Sequence, residues 1–367
     1  MRDSNSPVEN LIGATLENGW LVVSKIESKK GHSGGNFSAA YEVHDENGKE
    51  YFLKALDLSR ALDDEDDPIA KVNALTDAYL YEKQLFEDCK GQKLSRVVKY
   101  LDTGYVIPTN KVPEKYILIR KVPYLLFEMA EPGLRAEIEE IKKVSNKVDL
   151  AWGLRAMHHV STGLAQLHQI KIAHRDLKPS NIVKVKNDGH KITDLGCAKK
   201  MSTIAPRDSY GAPGDFTYMP LEYYYSTYNT NNSVMDWYHT EISTDFYMLG
   251  GLAYYLLTNV SLTASIMSRI HVDNKFPNFR GFYADVLSYL IDAWDQTLEE
   301  FSQQFNHDMG DSAIRLSNTI RELTHPDPSK RGNLKSSTIQ SQYQTRNYIT
   351  KFNLLASRAE QNLFRID

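Results

Sequence analysis

Apolar and polar positions along the chain follow two different periods. Between residues 20 and 58 they alternate in twos: Trp20-Leu21-Val22-Val23, Ala39-Ala40-Tyr41-Glu42-Val43 and Glu50-Tyr51-Phe52-Leu53-Lys54-Ala55-Leu56 predict strands. Asn47-Gly48 between the last two signals a hairpin, since both residues tolerate the positive φ that such turns need. Residues 67–88 predict a helix, with Asp67 as its cap and Pro68 in the first helical position. Two more strands are expected around Val97–Val106 and Ile117–Glu128. From Ala151 onward the period is mostly helical, interrupted by loops and short strands near 170–197. Glu131-Pro132-Gly133 is a turn-like crossing from the β-rich part to the α-rich part. The longest apolar run, Tyr247 to Val260, contains Gly250 and Gly251 and is shorter than a bilayer requires; it predicts a buried helix.

Composition narrows this α+β reading. The 367 residues are 41% hydrophobic and 25% charged, within the soluble globular range. A net charge of -4 provides no basic field, so neither nucleic acid nor a membrane is an expected partner. Cys89 and Cys197 are too few for a disulfide framework or a metal-ligand set, and a reducing, cytoplasmic setting is expected. Met1-Arg2-Asp3-Ser4-Asn5 lacks the apolar core of a signal peptide. The acidic run Asp63-Asp64-Glu65-Asp66-Asp67 reads as a solvated loop whose charge suits a helix N-terminus, in preference to a metal site.

The densest polar cluster between apolar runs is His174-Arg175-Asp176-Leu177-Lys178-Pro179-Ser180-Asn181. A second carboxylate follows in Ile192-Thr193-Asp194-Leu195-Gly196. One loop Asp or Asn is usually a turn residue; two such motifs in order ask for a shared cause. They resemble the catalytic loop and the metal-binding triplet of eukaryotic-type protein kinases, with Leu195 for the usual Phe. The resemblance implies a bilobal fold, with a small β-rich N-lobe carrying one main helix and a larger α-helical C-lobe. It implies ATP and Mg2+ as cofactors, Asp176 accepting or orienting the proton of the attacking hydroxyl, and Asn181 and Asp194 holding the metal. Lys178, followed by Pro179, implies serine/threonine specificity, its ammonium approaching the transferred phosphate; the bland alternative is a surface lysine.

The same family places a lysine on a strand and a glutamate on the following helix, here Lys54 and Glu82. The helix provides its own test: Val72, Leu75 and Tyr79 form a stripe that continues through Glu82 to Phe86. A carboxylate on a buried stripe needs a cation, unless the stripe drifts toward Leu85 and leaves Glu82 exposed. Gly31, Gly34, Gly35 and Phe37 resemble the phosphate-covering loop, although Ser33 and Ser38 stand where two glycines are usual and a glycine cluster alone reads as a flexible turn. Phe52 replaces the usual Ala, so either the pocket is rearranged or the strand register is one residue off. Phe127 is similar to the residue guarding the rear of the adenine pocket, with backbone groups of Glu128 and Ala130 meeting the adenine edge.

Tyr218-Met219-Pro220-Leu221-Glu222 and Asp327-Pro328-Ser329-Lys330-Arg331 resemble the motifs whose Glu and Arg anchor the protein-substrate platform. Asp245 is similar to the aspartate that binds catalytic-loop amides, though a charge beside so apolar a helix could be its N-cap. The segment from Asp194 to Glu222 contains Ser202, Thr203, Ser209, Tyr210 and Thr217, and the resemblance implies that Arg175 can grip one of them when phosphorylated. In Gly214-Asp215-Phe216 the usual Thr is absent. Tyr223–His239 reads as an insertion, and the tail's Tyr348, Phe352 and Leu355 as a helix packed on the C-lobe. The expected organisation is an extension over 1–19, an N-lobe over 20–130, a C-lobe over 131–335 and a tail over 336–367. The expected activity is transfer of the γ-phosphate of ATP to Ser/Thr of protein substrates, with autophosphorylation. The alternatives are a nucleotide-binding pseudokinase and a small-molecule kinase, the latter disfavoured by Glu222 and Arg331.

Overall fold

The computed structural model describes residues 3–27, 37–62, 67–131, 133–144, 149–210, 214–225 and 237–363. They form two compact units, Met1–Glu131 and Pro132–Asp367. The first is built on a five-stranded antiparallel sheet of β1 (Leu21–Ile26), β2 (Ser38–His44), β3 (Glu50–Leu56), β4 (Tyr100–Val106) and β5 (Val122–Glu128), in the order β1-β2-β3-β5-β4. Period-two burial sets the faces. Ala39, Tyr41 and Val43 of β2 and Tyr51, Leu53 and Ala55 of β3 are buried on one side, leaving Phe52 and Lys54 half-buried on the other. Residues read from the sequence as an extension belong to this core: Val8, Leu11, Ala14 and Leu16 pack with Tyr41 and Leu53.

After the single-turn α1 (Ser59–Leu62) comes α2 (Pro68–Lys90), capped as expected by Asp67, whose Oδ1 accepts the Ala70 N–H at 2.9 Å. Full burial is confined to its C-terminal half, at Glu82, Leu85, Phe86 and Cys89. The strand expected from Ile117 starts later. Glu114–Ile119 is a 3-10 turn pinned by the buried ring of Tyr116, while Ile117 and Leu118 face solvent, so their apolar character does not mark a strand.

The second unit is helical: α3 (Leu134–Val144), α4 (Leu150–Gln169), α5 (Ser243–Thr258), α6 (Leu262–Arg269), α7 (Tyr283–Met309), α8 (Asp311–Thr324), the single-turn α9 (Ile339–Gln342) and α10 (Arg346–Leu363). The buried helix expected over 247–260 is α5. It approaches α8 so closely that a Cβ on Gly250 would lie 2.4 Å from Thr324 Cγ2. In α10, Tyr348, Phe352 and Leu355 are buried. No helix among the described residues is long and apolar enough to cross a membrane. Four short strands carry the chemistry between α4 and α5: β6 (Ile172–Ala173) pairs with β9 (Lys199–Lys200), and β7 (Ile182–Val185) with β8 (Gly189–Ile192).

Candidate active site

In the second unit, two hairpin-like pairings bring the polar motifs together. Ile182 pairs with Ile192, so Asn181 and Thr193-Asp194 emerge side by side, tied by a Thr193 N–H donating to Asn181 O at 3.0 Å. Ala173 pairs with Lys199, which brings the start of the catalytic loop beside the segment that follows Asp194. Asp245 fixes the loop backbone. It is fully buried, and its two oxygens accept the N–H groups of His174 (2.8 Å) and Arg175 (2.7 Å). The helix-cap alternative for Asp245 fails, because it is the third residue of α5. Arg175 and Asp194 both have left-handed backbone, φ 60 and 63, a conformation costing about 1–3 kcal/mol that persists only where surrounding bonds hold it. Asp245 provides that restraint for Arg175, and Gly196 N–H to Asp194 Oδ1 at 3.2 Å provides it for Asp194.

Asp176 is the hub. Its Oδ2 accepts Asn181 Nδ2 at 2.9 Å and pairs with Lys178 Nζ at 3.0 Å, while Oδ1 accepts the Asp215 N–H at 3.0 Å. Of the roughly four acceptor positions of a carboxylate, one on Oδ1 is left to meet a hydroxyl proton among the described residues. Burial pushes the Asp176 carboxyl above the usual range; Lys178 opposes this and nearby Asp194 adds to it. Burial also works against the Lys178 charge, but Asp176 outweighs it and the ammonium is held more firmly than usual. The missing Thr is replaced by backbone: Asp215 supplies its N–H to Asp176 and its carboxylate lies 3.8 Å from Lys178. Gly214 makes that approach possible, since at φ 84 a Cβ would sit 2.7 Å from both Arg175 O and Asp176 Oδ1.

The residues present fit a magnesium ion. Asn181 commits its Nδ2 to Asp176, so its Oδ1 is the amide atom able to ligate, and Asp194 adds a carboxylate. Hard oxygens of this kind are what such a cation takes.

The sequence reading missed the surroundings of Arg175. Its Nη1 donates to Asp208 Oδ1 at 2.7 Å and lies 3.3 Å from Glu241 Oε2; Lys199 Nζ meets the other oxygens of both acids at 3.1 Å. Two cations and two carboxylates therefore surround the residue read from the sequence as a grip for a phosphorylated side chain, and Arg175 Nη2 has no hydrogen-bond partner among the described residues. Burial opposes charge at Arg175, Lys199 and Asp208, yet the opposite charges prevail in each, raising the two bases and lowering the acid. The available signal was Glu241, an acid immediately before the buried run of α5. Asp208→Asn is expected to destabilise the fold by about 2 kcal/mol, the scale of a hydrogen bond to a charged group, and to speed proteolysis within 199–210, read by limited digestion.

In the first unit, Lys54 Nζ meets both oxygens of Glu82 at 2.8 and 2.9 Å, with the Glu82 side chain buried. Phe52 shares the Lys54 face, its ring 6.4 Å from that of Phe127, so Lys54 reaches Glu82 with the bulky residue in place and no shift of register. Phe127 is buried edge-on against Phe86 at 4.8 Å. Glu128 gives its N–H to Lys99 O and accepts the Lys99 N–H on Oε1, and Ala130 lies just beyond β5. Phe37 O accepts the Asp57 N–H at 2.8 Å. Gly31, Gly34, Gly35, the acidic residues 63–66 and the insertion's 226–236 lie outside the described residues.

Glu222 and Arg331 form a deeply buried ion pair. Arg331 Nη1 and Nη2 each donate to one Glu222 oxygen at 2.7 Å, with neither residue more than 1% exposed.

The protein kinase domain family model matches residues 28–343. This chain belongs to that family. It is similar to an inhibitor of nuclear factor kappa-B kinase subunit alpha of Xenopus tropicalis, 34% identical over 116 residues, which cover 29% of this chain and 15% of the relative. It is also similar to a Wee1-like protein kinase of Arabidopsis thaliana, 31% over 159 residues, 43% of this chain and 28% of the relative. A probable serine/threonine-protein kinase of Clostridium perfringens is 32% identical over 142 residues, 38% of this chain and 18% of the relative. The chain thus spans less than a third of the length of each.

Proposed function

We propose that this chain transfers the γ-phosphate of ATP to serine or threonine hydroxyls of protein substrates, and phosphorylates itself. The observation that supports this most directly is the state of Asp176: a buried carboxylate fixed through both oxygens, with one acceptor position remaining and an ammonium 3.0 Å away. Such a group can orient a hydroxyl and take its proton as the bond to phosphorus forms. Lys178, held charged by Asp176, is placed to offset the charge on the transferred phosphoryl group. Lys54, oriented by Glu82, would steady the ATP phosphates. Phe127 and backbone groups of Glu128 and Ala130 would receive adenine. Magnesium, held by Asn181 and Asp194, would supply charge neutralisation on the phosphates. The Glu222–Arg331 anchor supports a protein rather than a small molecule as acceptor, and Lys178 supports Ser/Thr rather than Tyr, as does the similarity to the probable serine/threonine-protein kinase of Clostridium perfringens.

The test uses the purified chain with labelled ATP, magnesium and a generic protein substrate, and mass spectrometry of the labelled positions. Phosphoserine or phosphothreonine on substrate and on the chain is expected. A chain that binds nucleotide and labels nothing would be a binding module instead. Within the same assay, Lys54→Met is expected to lower kcat/KM on the order of 100-fold, the scale for one lost electrostatic donor, while the Glu82 carboxylate loses its main counter-charge.

A further inference from the structure

The family match ends at residue 343. Two residues further on, Thr345 is buried, and its Oγ1 lies 2.6 Å from Nδ1 of His168 in the last turn of α4. The other ring nitrogen, Nε2, lies 2.7 Å from Asp245 Oδ2, the oxygen that also accepts the His174 N–H. The remaining Asp245 oxygen accepts the Arg175 N–H. A continuous line of four hydrogen bonds therefore joins Thr345 to the two backbone amides that open the catalytic loop.

The chemistry of the line gives it direction. A carboxylate only accepts, so Nε2 carries a proton; when the ring is neutral, Nδ1 is an acceptor and the Thr345 hydroxyl donates to it. Each bond steadies the next: the Asp245 carboxylate sets the tautomer, the Thr345 hydroxyl holds the ring orientation, and the ring in turn fixes the carboxylate. That carboxylate in turn holds Arg175 in its left-handed backbone. Thr345 is itself presented by a docked helix. Directly after it, α10 lies on α4, with Arg155 bridging bidentately to Glu360 at 2.8 Å and reaching Asn353 at 2.7 Å. Near the relay, Tyr348 stands edge-on to Phe246 of α5 at 5.1 Å.

We propose that Thr345 is a positioning residue for the catalytic loop, acting through His168 and Asp245, and that α10 serves to hold it there. The kinetic arm of the test rests on the phosphotransfer reading; the structural arm does not. In the full chain, Thr345→Val removes the hydroxyl at nearly constant volume. Backbone amide exchange at His174 and Arg175 is expected to rise about 10-fold, with α6 and α7 unchanged. The kcat is expected to fall about 10-fold and the KM for ATP to change less than about 2-fold, the pattern of a group that matters to alignment rather than to ground-state binding. Thr345→Ser restores the donor and should restore both. Glu360→Gln loosens the helix that presents Thr345 and should raise exchange at His174 and Arg175 and lower kcat, each in the same direction as Thr345→Val by a smaller factor; a lowered Tm with wild-type exchange would refute the holding role of α10. Unchanged amide exchange in Thr345→Val, or faster exchange with wild-type kcat, overturns the proposal. A wild type that transfers no phosphate defeats the functional reading alone, because the exchange measurement still decides the relay.

Discussion

Asp176→Ala is expected to lower kcat by about 10³-fold, within the range for loss of a positioned general base, while ATP still binds. The substitution does more than delete a base. It releases the Asp215 N–H and leaves Lys178, whose side chain is about nine-tenths buried, without its 3.0 Å partner. Asp176→Asn restores part of the tie. The amide keeps an oxygen for Asp215 and nearly the volume of the carboxylate, but it cannot take a proton, and its NH2 faces the donors Asn181 Nδ2 and Lys178 Nζ. If Asn recovers most of the rate, Asp176 is an architectural tie and the catalytic assignment fails; loss of kcat in both variants with ATP binding and Tm kept in Asp176→Asn is the expected result. Burial also raises this carboxyl above the ordinary aspartate range. It therefore takes up its proton sooner as pH falls, and the acid limb of kcat should lie at higher pH than an exposed aspartate would give. Nucleotide binding by fluorescence titration, run beside the transfer assay, checks that neither variant has lost its substrate.

The parts of the site that were legible in the sequence are those whose residues are close together along the chain or carry a burial signature. His174 to Asn181 is one loop, and the β7–β8 hairpin, Ile182 to Ile192, brings Asn181 to Asp194. Glu82 was legible because a carboxylate on the buried side of a helix demands a cation, and Lys54 meets it. The capping chemistry of Asp67 and Pro68 was equally local. The helix Leu134–Val144 was not anticipated, although Leu134, Ile138 and Ile141 stand at helical steps. What pattern could not show is pairing across long separations. Asp208 looks like any loop acid until the β6–β9 pairing places Lys199 beside Arg175. Thr345 and His168 are 177 residues apart, and neither residue type signals the other. The 3-10 turn at Glu114–Ile119 misleads for the opposite reason: an exposed apolar pair mimics a strand, and burial, absent there, is what would distinguish them.

Glu222→Ala is expected to be the most destabilising single change in the second unit, by about 3–5 kcal/mol. The partner it strands, Arg331, is fully buried, and both ends of its guanidinium point at the lost carboxylate. Burial disfavours the Arg331 charge, but Glu222 more than compensates and raises its hold on the proton. Without Glu222 that compensation is gone, and an arginine does not escape by deprotonating. The other acceptors, His325 O at 2.8 Å and Ser243 O at 3.2 Å, remain but carry no full charge. At about 2–4 °C per kcal/mol for a unit of this size, Tm should fall by roughly 10 °C, measured by calorimetry. The pair need not be favourable overall for this to hold. Two ions taken out of water lose solvation that their attraction only partly returns, so Glu222→Met with Arg331→Met should recover much of the stability lost by either single change. Recovery of Tm without recovery of transfer to a protein substrate would then assign the pair to shaping the substrate platform. If the double variant regained both, the pair would be a packing element that apolar side chains replace.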